Sequence, residues 1–434
     1  MKFELPRGTR DLESEEYGMI EFTKQKFLET SELFGFKIME PSPLEMLSTL
    51  EAKSGPSIGN EIYSFRDKGG RDIALRFDLT VGLTRYVAAR RDLRLPVKLS
   101  SFGNVWRYDE PQMGRYRWFH QWDVEIYDSF SVESDAEVIE FTKAYLDAIQ
   151  LKDTVIEVCD RELLEDYIRN KLGIGDDHAL MEMLRVVDKV PKKGEKAVVE
   201  EYSGKGFDAE KLHELIELST VKGDADAVAG DERVKGLSKI SKITALMDSL
   251  KSRGVRNARI NMGIVRGLDY YSGIVFEVFD KSGDLGALVG GGRYDTLTAA
   301  FGRSDIGATG AAGGIERLVS ALLKHGYASA AGRRGAEQRI FVAYAQDNLR
   351  ERAINLTSSL RSNGVPAEFD IAGRSLKKQL EETSKRGYNF AAILAPEELA
   401  RNELILRDMG KGTEIRMKMD DLLKDPRSVL QNLA

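Results

Sequence analysis

The stretch that most constrains the fold runs from Val97 to Tyr127. It contains two segments with the alternating pattern of long β-strands, joined by a polar loop from Asp109 to Tyr116. In the second segment one face is apolar and carries Trp118, Trp122, Val124 and Ile126. The other face carries Arg117, Phe119, Gln121, Asp123 and Glu125. Because a strand inside a sheet has no solvent face for so many polar groups, this second face predicts the floor of a binding site.

The rest of the chain predicts about three domains, as expected for 434 residues. A charged, helix-patterned and motif-free segment at 163–250 predicts a helical insertion that divides a first domain into residues 1–162 and 251–325. Residues 326–338 have the composition of a linker. In residues 339–434 apolar runs alternate with helical patterns, which predicts a compact α/β domain.

Local patterns predict further elements on both sides of the two long strands. Apolar residues at helical spacing favour helices at 15–33, 79–90, 348–360 and 375–386. Further strands are expected at 61–65, 72–77, within 259–279, and at 285–292, 340–344 and 390–394. The turn DKGG between the first two of these strands predicts a β-hairpin.

Composition excludes several classes of protein. The single cysteine, Cys159, cannot form an internal disulfide, and none of the four histidines stands at zinc-ligand spacing from it. No apolar run approaches the roughly 20 residues that span a bilayer, and the charged start is unlike a signal peptide, so a soluble, cytoplasmic protein is expected. Because the net charge is −6, any contact with RNA must depend on local basic patches.

Three motifs carry residue types suited to a charged ligand. In RYDEPQMGRYR, Arg107 and Arg115 flank a turn and suit a polyanion, the alternative being a solvated charged turn. RGLDYYSGIVFEVF starts at Arg266 and contains two adjacent tyrosines. If the segment is a strand, the two tyrosines point to opposite faces of the sheet. The alternative interpretation is a half-buried edge strand that binds no ligand. GGGRYD and AAGGIERL each place glycines before a charged residue. The glycines allow the backbone to approach a ligand closely, and Arg317 is placed to lie over a flat ring. The alternative is that these glycines serve only the packing of the protein interior.

Taken in order, the motifs resemble those of the class II aminoacyl-tRNA synthetases, and within that class the histidyl-tRNA synthetases. The resemblance covers nearly the whole chain through PRGTRD, FGFKIMEPSP, RFDLT, WRYDEPQMGRYRWFHQWDVEIYD, RGLDYYSGIVFE, GGGRYD and GGIERL. RGLDYY and GRYRxFHQ are specific to the histidine enzymes, whereas GGIERL occurs throughout the class. DLT, where many bacterial members carry EGT, is similar to the archaeal and eukaryotic layout.

The resemblance implies an α+β catalytic domain on an antiparallel sheet (the class II synthetase fold), a helical insertion and a C-terminal α/β anticodon-binding domain. It implies activation of L-histidine by ATP to histidyl-adenylate and pyrophosphate, then transfer to the 3′-terminal adenosine of the histidine tRNA. Mg²⁺ is expected on the leaving phosphates of ATP, and no protein side chain is assigned to a metal. FGFKIMEPSP corresponds to the dimer-forming first class motif, with Pro41 or Pro43 as its proline, so a homodimer is expected.

The same resemblance implies roles for individual residues. For ATP, Arg107 grips the α-phosphate, Arg115 meets the γ-phosphate, Phe119 and Arg317 sandwich adenine, and Asp109 replaces the usual glutamate that contacts the adenine amino group. Arg107 also grips the carboxylate of histidine. The remaining histidine-binding residues are Asp78 and Thr80 at the amino group, Gln121 and Glu125 beside them, and Tyr270, Tyr271 and Tyr294 around the imidazole. Arg266 is a catalytic cation on the α-phosphate, where other class II enzymes use a metal.

Contacts with tRNA are expected at two places. Gln112 and Arg115 are placed to read the extra 5′ nucleotide of the tRNA. In the last domain, a basic cluster of Arg374, Lys377, Lys378, Lys385 and Arg386 predicts anticodon binding, with the first three on one helix face, although a solvated helix face is the alternative.

Two other functions remain as alternatives. One is a regulatory paralogue of the kind that serves ATP phosphoribosyltransferase, which typically lacks the arginines that grip ATP and the C-terminal domain. The other is a synthetase for another amino acid, against which RGLDYY argues.

Overall fold

The computed structural model describes residues 3–54, 56–108, 116–127, 129–265, 270–282, 285–327 and 338–433. The chain divides into two compact units, Met1–Gly332 and Arg333–Ala434. No helix in these described ranges is both long and apolar enough to cross a membrane.

The first unit is built on a nine-stranded sheet and a separate three-stranded sheet. Its strands are β1 (Lys37–Ile38), β2 (Leu44–Met46), β3 (Ser64–Arg66), β4 (Asp72–Leu75), β5 (Val97–Trp106), β6 (Trp118–Tyr127), β7 (Thr154–Asp160), β8 (Lys222–Gly223), β9 (Ala258–Asn261), β10 (Ile274–Asp280), β11 (Ala287–Arg293) and β12 (Ala308–Gly314). The large sheet has the order β1-β5-β6-β12-β11-β10-β7-β9-β8, and only the pairs β1/β5 and β7/β9 are parallel among the described strands. The fold is therefore the mainly antiparallel α+β arrangement that the sequence predicts.

The small sheet has the order β2-β4-β3 and contains the predicted hairpin. Strands β3 and β4 pair from Ser64 with Ala74 to Arg66 with Asp72, on either side of the DKGG turn. Gly70 in this turn has a φ of +78°, a conformation that favours glycine. The first strand of the hairpin, predicted at 61–65, is shorter and covers only Ser64–Arg66; a 3₁₀ helix, Pro56–Asn60, precedes it in the chain.

Helices cover the large sheet and fill the region of the predicted insertion. They are α1 (Ser14–Leu33), α2 (Leu47–Ser54), α3 (Thr80–Ala89), α4 (Val132–Ala148), α5 (Arg161–Asp166), α6 (Asp177–Lys193), α7 (Glu195–Ser203), α8 (Ala209–Ser219), α9 (Ala225–Gly230), α10 (Ile240–Ser252), α11 (Asp295–Ala300) and α12 (Ile315–Lys324). A π-helical turn, Tyr167–Lys171, follows α5. Residues 163–250 are thus largely helical, while the boundaries of a separate insertion domain stay a prediction.

The two long strands pair as predicted, from Val97 with Tyr127 to Trp106 with Trp118. The apolar face of β6 packs into the main core, where Trp122 is fully buried. Its indole ring lies 5.1 Å from the ring of Tyr145 on α4 and 5.8 Å from that of Phe27 on α1. Because residues alternate along a strand, this packing directs the polar face of β6 to the other side of the sheet.

The second unit is a five-stranded sheet with helices, consistent with the predicted α/β domain. Its strands are β13 (Ile340–Tyr344), β14 (Ala367–Phe369), β15 (Phe390–Leu394), β16 (Glu403–Asp408) and β17 (Glu414–Lys418), in the order β14-β13-β15-β16-β17. Its helices are α13 (Arg350–Ser362), α14 (Leu376–Lys385), α15 (Pro396–Leu399), α16 (Met419–Lys424) and α17 (Pro426–Leu433), and Asp347–Leu349 is a 3₁₀ turn. The sequence analysis did not identify β14, β16 or β17.

The expectation that three cations share one face of a helix is wrong for Arg374. Helix α14 begins at Leu376, so Arg374 precedes it, and its guanidinium lies 3.5 Å from Asp370 and 3.4 Å from Glu382. Lys377 and Lys378 are in the first turn of the helix, and both are exposed. The basic surface is therefore smaller than the spacing suggested.

Candidate active site

A cavity of about 520 Å³ opens on the polar face of β6 and extends over β11 and β12. This volume is typical of a site for a small ligand. Of the predicted site residues, those that line the cavity are Asp78, Thr80, Arg107, Phe119, Gln121, Glu125, Tyr270, Tyr271, Tyr294 and Arg317. Asp109, Gln112, Arg115 and Arg266 lie outside the described residues. Residues far apart in the chain are thus brought into one cleft.

The floor of the cleft depends on a glycine-rich strand, β12, which pairs with β6. A β-carbon added to Gly310 would lie 1.5 Å from Oε2 of Glu125 and 2.6 Å from the backbone oxygen of Val124. Only a residue without a side chain therefore fits beside Glu125 at this position.

A chain of hydrogen bonds orients the guanidinium of Arg107 in the cleft. Nε of Arg107 donates to the backbone oxygen of Phe77 at 2.9 Å, and its NH2 donates to Oε1 of Gln121 at 3.0 Å. Nε2 of Gln121 donates to Oδ1 of Asp123 at 2.8 Å, and the hydroxyl of Thr80 donates to Oδ2 of Asp123 at 2.9 Å. Asp123 is fully buried. The side chain of Arg107 is therefore held in a set direction before any ligand binds.

A second polar group lies in the buried part of the cleft. The hydroxyl of Tyr294 donates to the carboxylate of Glu125, and both side chains are almost completely buried. Burial raises the pKa of Tyr294 well above its ordinary value, and the Glu125 carboxylate raises that pKa further. Tyr294 therefore stays protonated and remains a hydrogen-bond donor to Glu125 at neutral pH.

Asp78 has a structural role in addition to its place in the cleft. Its Oδ1 accepts a hydrogen bond from the backbone N–H of Val81 at 3.1 Å, in the first turn of α3. This contact satisfies a helix N–H that would otherwise lack an intrahelical partner. Substitution of Asp78 would thus change helix stability as well as the cleft.

Tyr270 and Tyr271 lie together, which differs from the expectation for a strand. Both line the cleft, and their ring centroids are 4.4 Å apart. The chain is not in a strand here, since β9 ends at Asn261 and β10 begins at Ile274. The two-residue alternation of a strand therefore does not apply, and the prediction of opposite faces is wrong.

Several residues that line the cleft were not predicted. They are Ile58, Glu61, Phe77, Tyr116 and Glu316, together with apolar residues and glycines of β11 and β12. Glu316 had a signal in the sequence, because it stands directly before Arg317 in GGIERL. Glu61 is in a segment whose sequence indicated only a hairpin strand.

The chain is similar to known proteins over almost its whole length. Residues 8–318 match the family described as histidyl-tRNA synthetase, and residues 339–425 match the family described as anticodon binding domain. A histidine–tRNA ligase from Pyrococcus furiosus is 34% identical over 98% of this chain and 99% of its own length. One from Thermoplasma volcanium is 32% identical over 98% of both chains.

Solved structures share the fold. The crystal structure of a histidyl-tRNA synthetase from Nostoc sp. superposes with a TM-score of 0.82 at 24% identity and covers 100% of both chains. A Bacillus halodurans protein described as an ATP phosphoribosyltransferase regulatory subunit/histidyl-tRNA synthetase has a TM-score of 0.73 at 24% identity, over 91% of this chain and 100% of that one.

Replacing Gly310 by alanine is expected to destabilise the first unit by about 1–3 kcal/mol, the usual cost of overpacking. The reason is the clash of the new β-carbon with Glu125 and with the backbone of Val124. Thermal unfolding measures the change. Gly230→Ala is the matched control, because a β-carbon there meets nothing within 4 Å. Equal unfolding temperatures for the two variants would show that the β6/β12 approach is not restrictive.

Proposed function

The chain belongs to the histidyl-tRNA synthetase family of histidine–tRNA ligases, and we propose that ATP and L-histidine react in the cleft on β6, β11 and β12. As a ligase of this family, the chain activates L-histidine with ATP and then transfers it to the 3′-terminal adenosine of its tRNA. One observation carries the proposal about the site. Residues from five separate motifs, RFDLT, WRYDEPQMGRYRWFHQWDVEIYD, RGLDYY, GGGRYD and GGIERL, line a single cavity.

In the first step a carboxylate oxygen of histidine forms a bond to the α-phosphorus, and the bond from that phosphorus to pyrophosphate breaks. Arg107 contacts the carboxylate and the α-phosphate, because a guanidinium offers several donors in one plane. Its hydrogen bonds to Phe77 and Gln121 orient it in advance, which lowers the entropic cost of bringing the reactants together.

ATP extends from Arg107 along the cleft. Adenine lies between the ring of Phe119 and the guanidinium of Arg317, two flat groups that line the same cavity. Nη1 of Arg317 donates to the backbone oxygen of Ala287 at 2.6 Å, which limits the motion of the guanidinium. Asp109 at the adenine amino group and Arg115 at the γ-phosphate are proposed from their motif alone. Mg²⁺ enters with ATP, where it neutralises the charge of the phosphates.

Histidine lies at the end of the cleft that is opposite to adenine. The resemblance implies a place for Glu125 beside the amino group, but its carboxylate accepts a hydrogen bond from Tyr294, one of the residues expected around the imidazole. We therefore propose that Glu125 accepts an imidazole N–H, and that Tyr270 and Tyr271 close the pocket. Gln121, Asp78 and Thr80 surround the amino group. A buried carboxylate that accepts a hydrogen bond from the imidazole favours histidine over side chains without a donor, because that hydrogen bond would be lost with them.

In the second step a ribose hydroxyl of the tRNA attacks the carbonyl carbon of histidyl-adenylate, and AMP leaves. No enzyme nucleophile is required. Cys159 agrees with this, because it is fully buried and burial raises the pKa of its thiol far above the ordinary value.

Arg266, which the family resemblance makes a catalytic cation, provides the sharpest test. Arg266→Ala is expected to lower kcat for adenylate formation by about 10² or more, with smaller changes in the KM values for ATP and histidine. The reason is that its charge offsets charge that grows at the α-phosphate in the transition state. Transfer from preformed histidyl-adenylate should suffer less, and Arg266→Lys should recover activity only partly. Histidine-dependent pyrophosphate exchange and single-turnover assays measure these rates.

Arg259→Ala is the matched control for Arg266. Arg259 pairs with Glu157 on the neighbouring strand β7 and does not line the cleft. Its loss should leave kcat near the wild-type value. If Arg266→Ala instead lowers thermal stability while the folded fraction keeps near-normal activity, Arg266 has a structural role and the catalytic assignment fails.

We propose that the second unit binds the anticodon of the tRNA, in line with its match to an anticodon binding domain. Lys377 and Lys378 both reach solvent, and within the described residues neither forms an ion pair with a carboxylate. Arg374 and Arg386 are paired with acidic side chains, so they contribute less free charge. Lys377 and Lys378, in the first turn of α14, are therefore the proposed phosphate contacts.

Reversal of both lysines to glutamate is expected to weaken tRNA binding and to make it less sensitive to salt, by about one unit of slope for each phosphate that the variant no longer neutralises. Filter binding or fluorescence titration at several salt concentrations measures both quantities. The control is Arg352→Glu with Lys424→Glu, an equal change of charge at two positions elsewhere in the unit. Unchanged affinity and slope for the α14 variant would remove this helix from the interface.

We also propose a cytoplasmic homodimer. One edge of the large sheet is the two-residue strand β1, and apolar side chains in and after it are exposed: Ile38 at 52%, Leu44 at 42% and Met46 at 43%. Exposed apolar side chains grouped in this way favour contact with a second protein surface. The guanidinium of Arg76 donates a hydrogen bond to the backbone oxygen of Pro41, and the backbone N–H of Arg76 donates one to the backbone oxygen of Pro43. Arg76 therefore holds both prolines of this segment.

The expected mass by light scattering at micromolar concentration is therefore about twice the 48.5 kDa of one chain. Replacement of Ile38 and Met46 by aspartate should shift that mass toward one chain, because it places charge on the proposed apolar contact. A wild-type protein that is strictly monomeric under these conditions would contradict the proposal.

A further inference from the structure

We propose that Glu316 is a positioning residue that sets the separation between Phe119 and Arg317, and so the width of the slot for the adenine ring. The inference rests on the proposed binding of ATP in this cleft. Glu316 lines the cleft and is 5% exposed, yet no step of the reaction described above uses it.

The position of Glu316 follows from the way the sheet ends. Strands β6 and β12 pair as far as Gln121 with Gly314, and the chain then turns into α12 at Ile315. The ladder between these two described strands therefore stops short of His120. The carboxylate of Glu316 accepts the backbone N–H of His120 instead, with both of its oxygens 3.0 Å from the His120 nitrogen.

A second contact fixes the direction of the carboxylate. Oε1 of Glu316 lies 2.9 Å from Nδ1 of His120. The imidazole ring of His120 lies 5.8 Å from the ring of Trp118 and 6.2 Å from that of Phe102. These aromatic neighbours limit the motion of the imidazole. Since the carboxylate is buried and bonded at both the backbone and the side chain of His120, the start of α12 is fixed relative to β6.

Each partner of this contact is next in sequence to one wall of the slot. Phe119 directly precedes His120, and Arg317 directly follows Glu316. Gly314, which ends β12, lies beside the same slot, since a β-carbon on it would be 3.8 Å from the ring of Phe119, an ordinary contact distance. Any displacement of Glu316 against His120 therefore moves Arg317 against Phe119, while Glu125 and Tyr294 at the histidine end are held by separate contacts.

A purely structural cap makes a different prediction from a positioning residue. A cap that only satisfies the His120 N–H affects thermal stability and leaves the KM values of the folded enzyme unchanged. A residue that sets the slot changes the binding of ATP and leaves the binding of histidine nearly unchanged, because KM for one substrate reports the contacts of that substrate.

The test measures KM for ATP, KM for histidine and kcat in pyrophosphate exchange, with thermal unfolding beside them. Glu316→Ala is expected to raise KM for ATP by about ten-fold or more, since displacements of about 1 Å already have large effects on bound reactants, and to keep KM for histidine within about two-fold. Glu316→Gln should lie between Ala and wild type, because its amide keeps an acceptor for the His120 N–H and offers a donor to Nδ1. His120→Asn, which keeps the backbone N–H, should raise KM for ATP by a smaller factor than Glu316→Ala.

Glu157→Gln is the matched control. Glu157 is 5% exposed and hydrogen-bonded to Arg259 and Asn261, but it stands on β7, which β12, β11 and β10 separate from β6. The Glu157→Gln substitution should lower thermal stability and leave the KM values for ATP and for histidine unchanged. If Glu316→Ala does not fold, Glu316→Gln and His120→Asn decide the question, because the change in KM for ATP can be compared with the change in KM for histidine in those variants as well.

Two outcomes overturn the inference. One is an equal rise of both KM values in the Glu316 variants, and the other is a loss of stability with both KM values unchanged. Failure of the proposed function is a separate result, since it appears as wild-type enzyme whose pyrophosphate exchange does not depend on histidine.

Discussion

The interaction on which this structure depends is the hydrogen bonding of two carboxylates, Asp123 and Glu125, that strand β6 places inside a nine-stranded sheet. A buried carboxylate is costly unless donors reach it. Thr80 and Gln121 donate to Asp123, and Tyr294 donates to Glu125. The need to satisfy these two groups therefore brings together α3, β6 and the end of β11, and that convergence forms the polar floor of the cleft.

Small residues on β12 make the arrangement possible on its other side. Gly310 leaves room for Glu125, and Gly314 lies beside Phe119 at the point where the strand becomes a helix. The turn into α12 then brings Glu316 to the exposed end of the ladder and Arg317 to the cleft. Strand β6 thus carries the polar side chains, and the glycines of β12 leave the volume that these side chains occupy.

Alternation along β6 links the stability of the fold to the geometry of the site. Trp122 packs against Phe27 on α1 and Tyr145 on α4, on the opposite face of the sheet from Gln121 and Glu125. A shift of β6 by one residue would exchange the two faces, so the aromatic core fixes the register in which the polar groups point into the cleft. The chemistry proposed for the cleft relies mainly on positioned charges and donors, and such a rigid support suits it.

The sequence by itself determined the elements whose pattern is local and the residues that belong to motifs. The alternation in β6, the hairpin around DKGG, the helical character of 163–250 and ten of the residues that line the cleft were accessible this way. Only the tertiary structure decided the rest. Glu316 and His120 are 196 residues apart, Tyr270 and Tyr271 share the cleft because the chain leaves the strand before them, and Arg374 precedes its helix and is neutralised by Asp370 and Glu382. The physical reason is that a pattern in one segment records which face is buried, whereas the partner that satisfies a buried group comes from another segment, which only folding brings near.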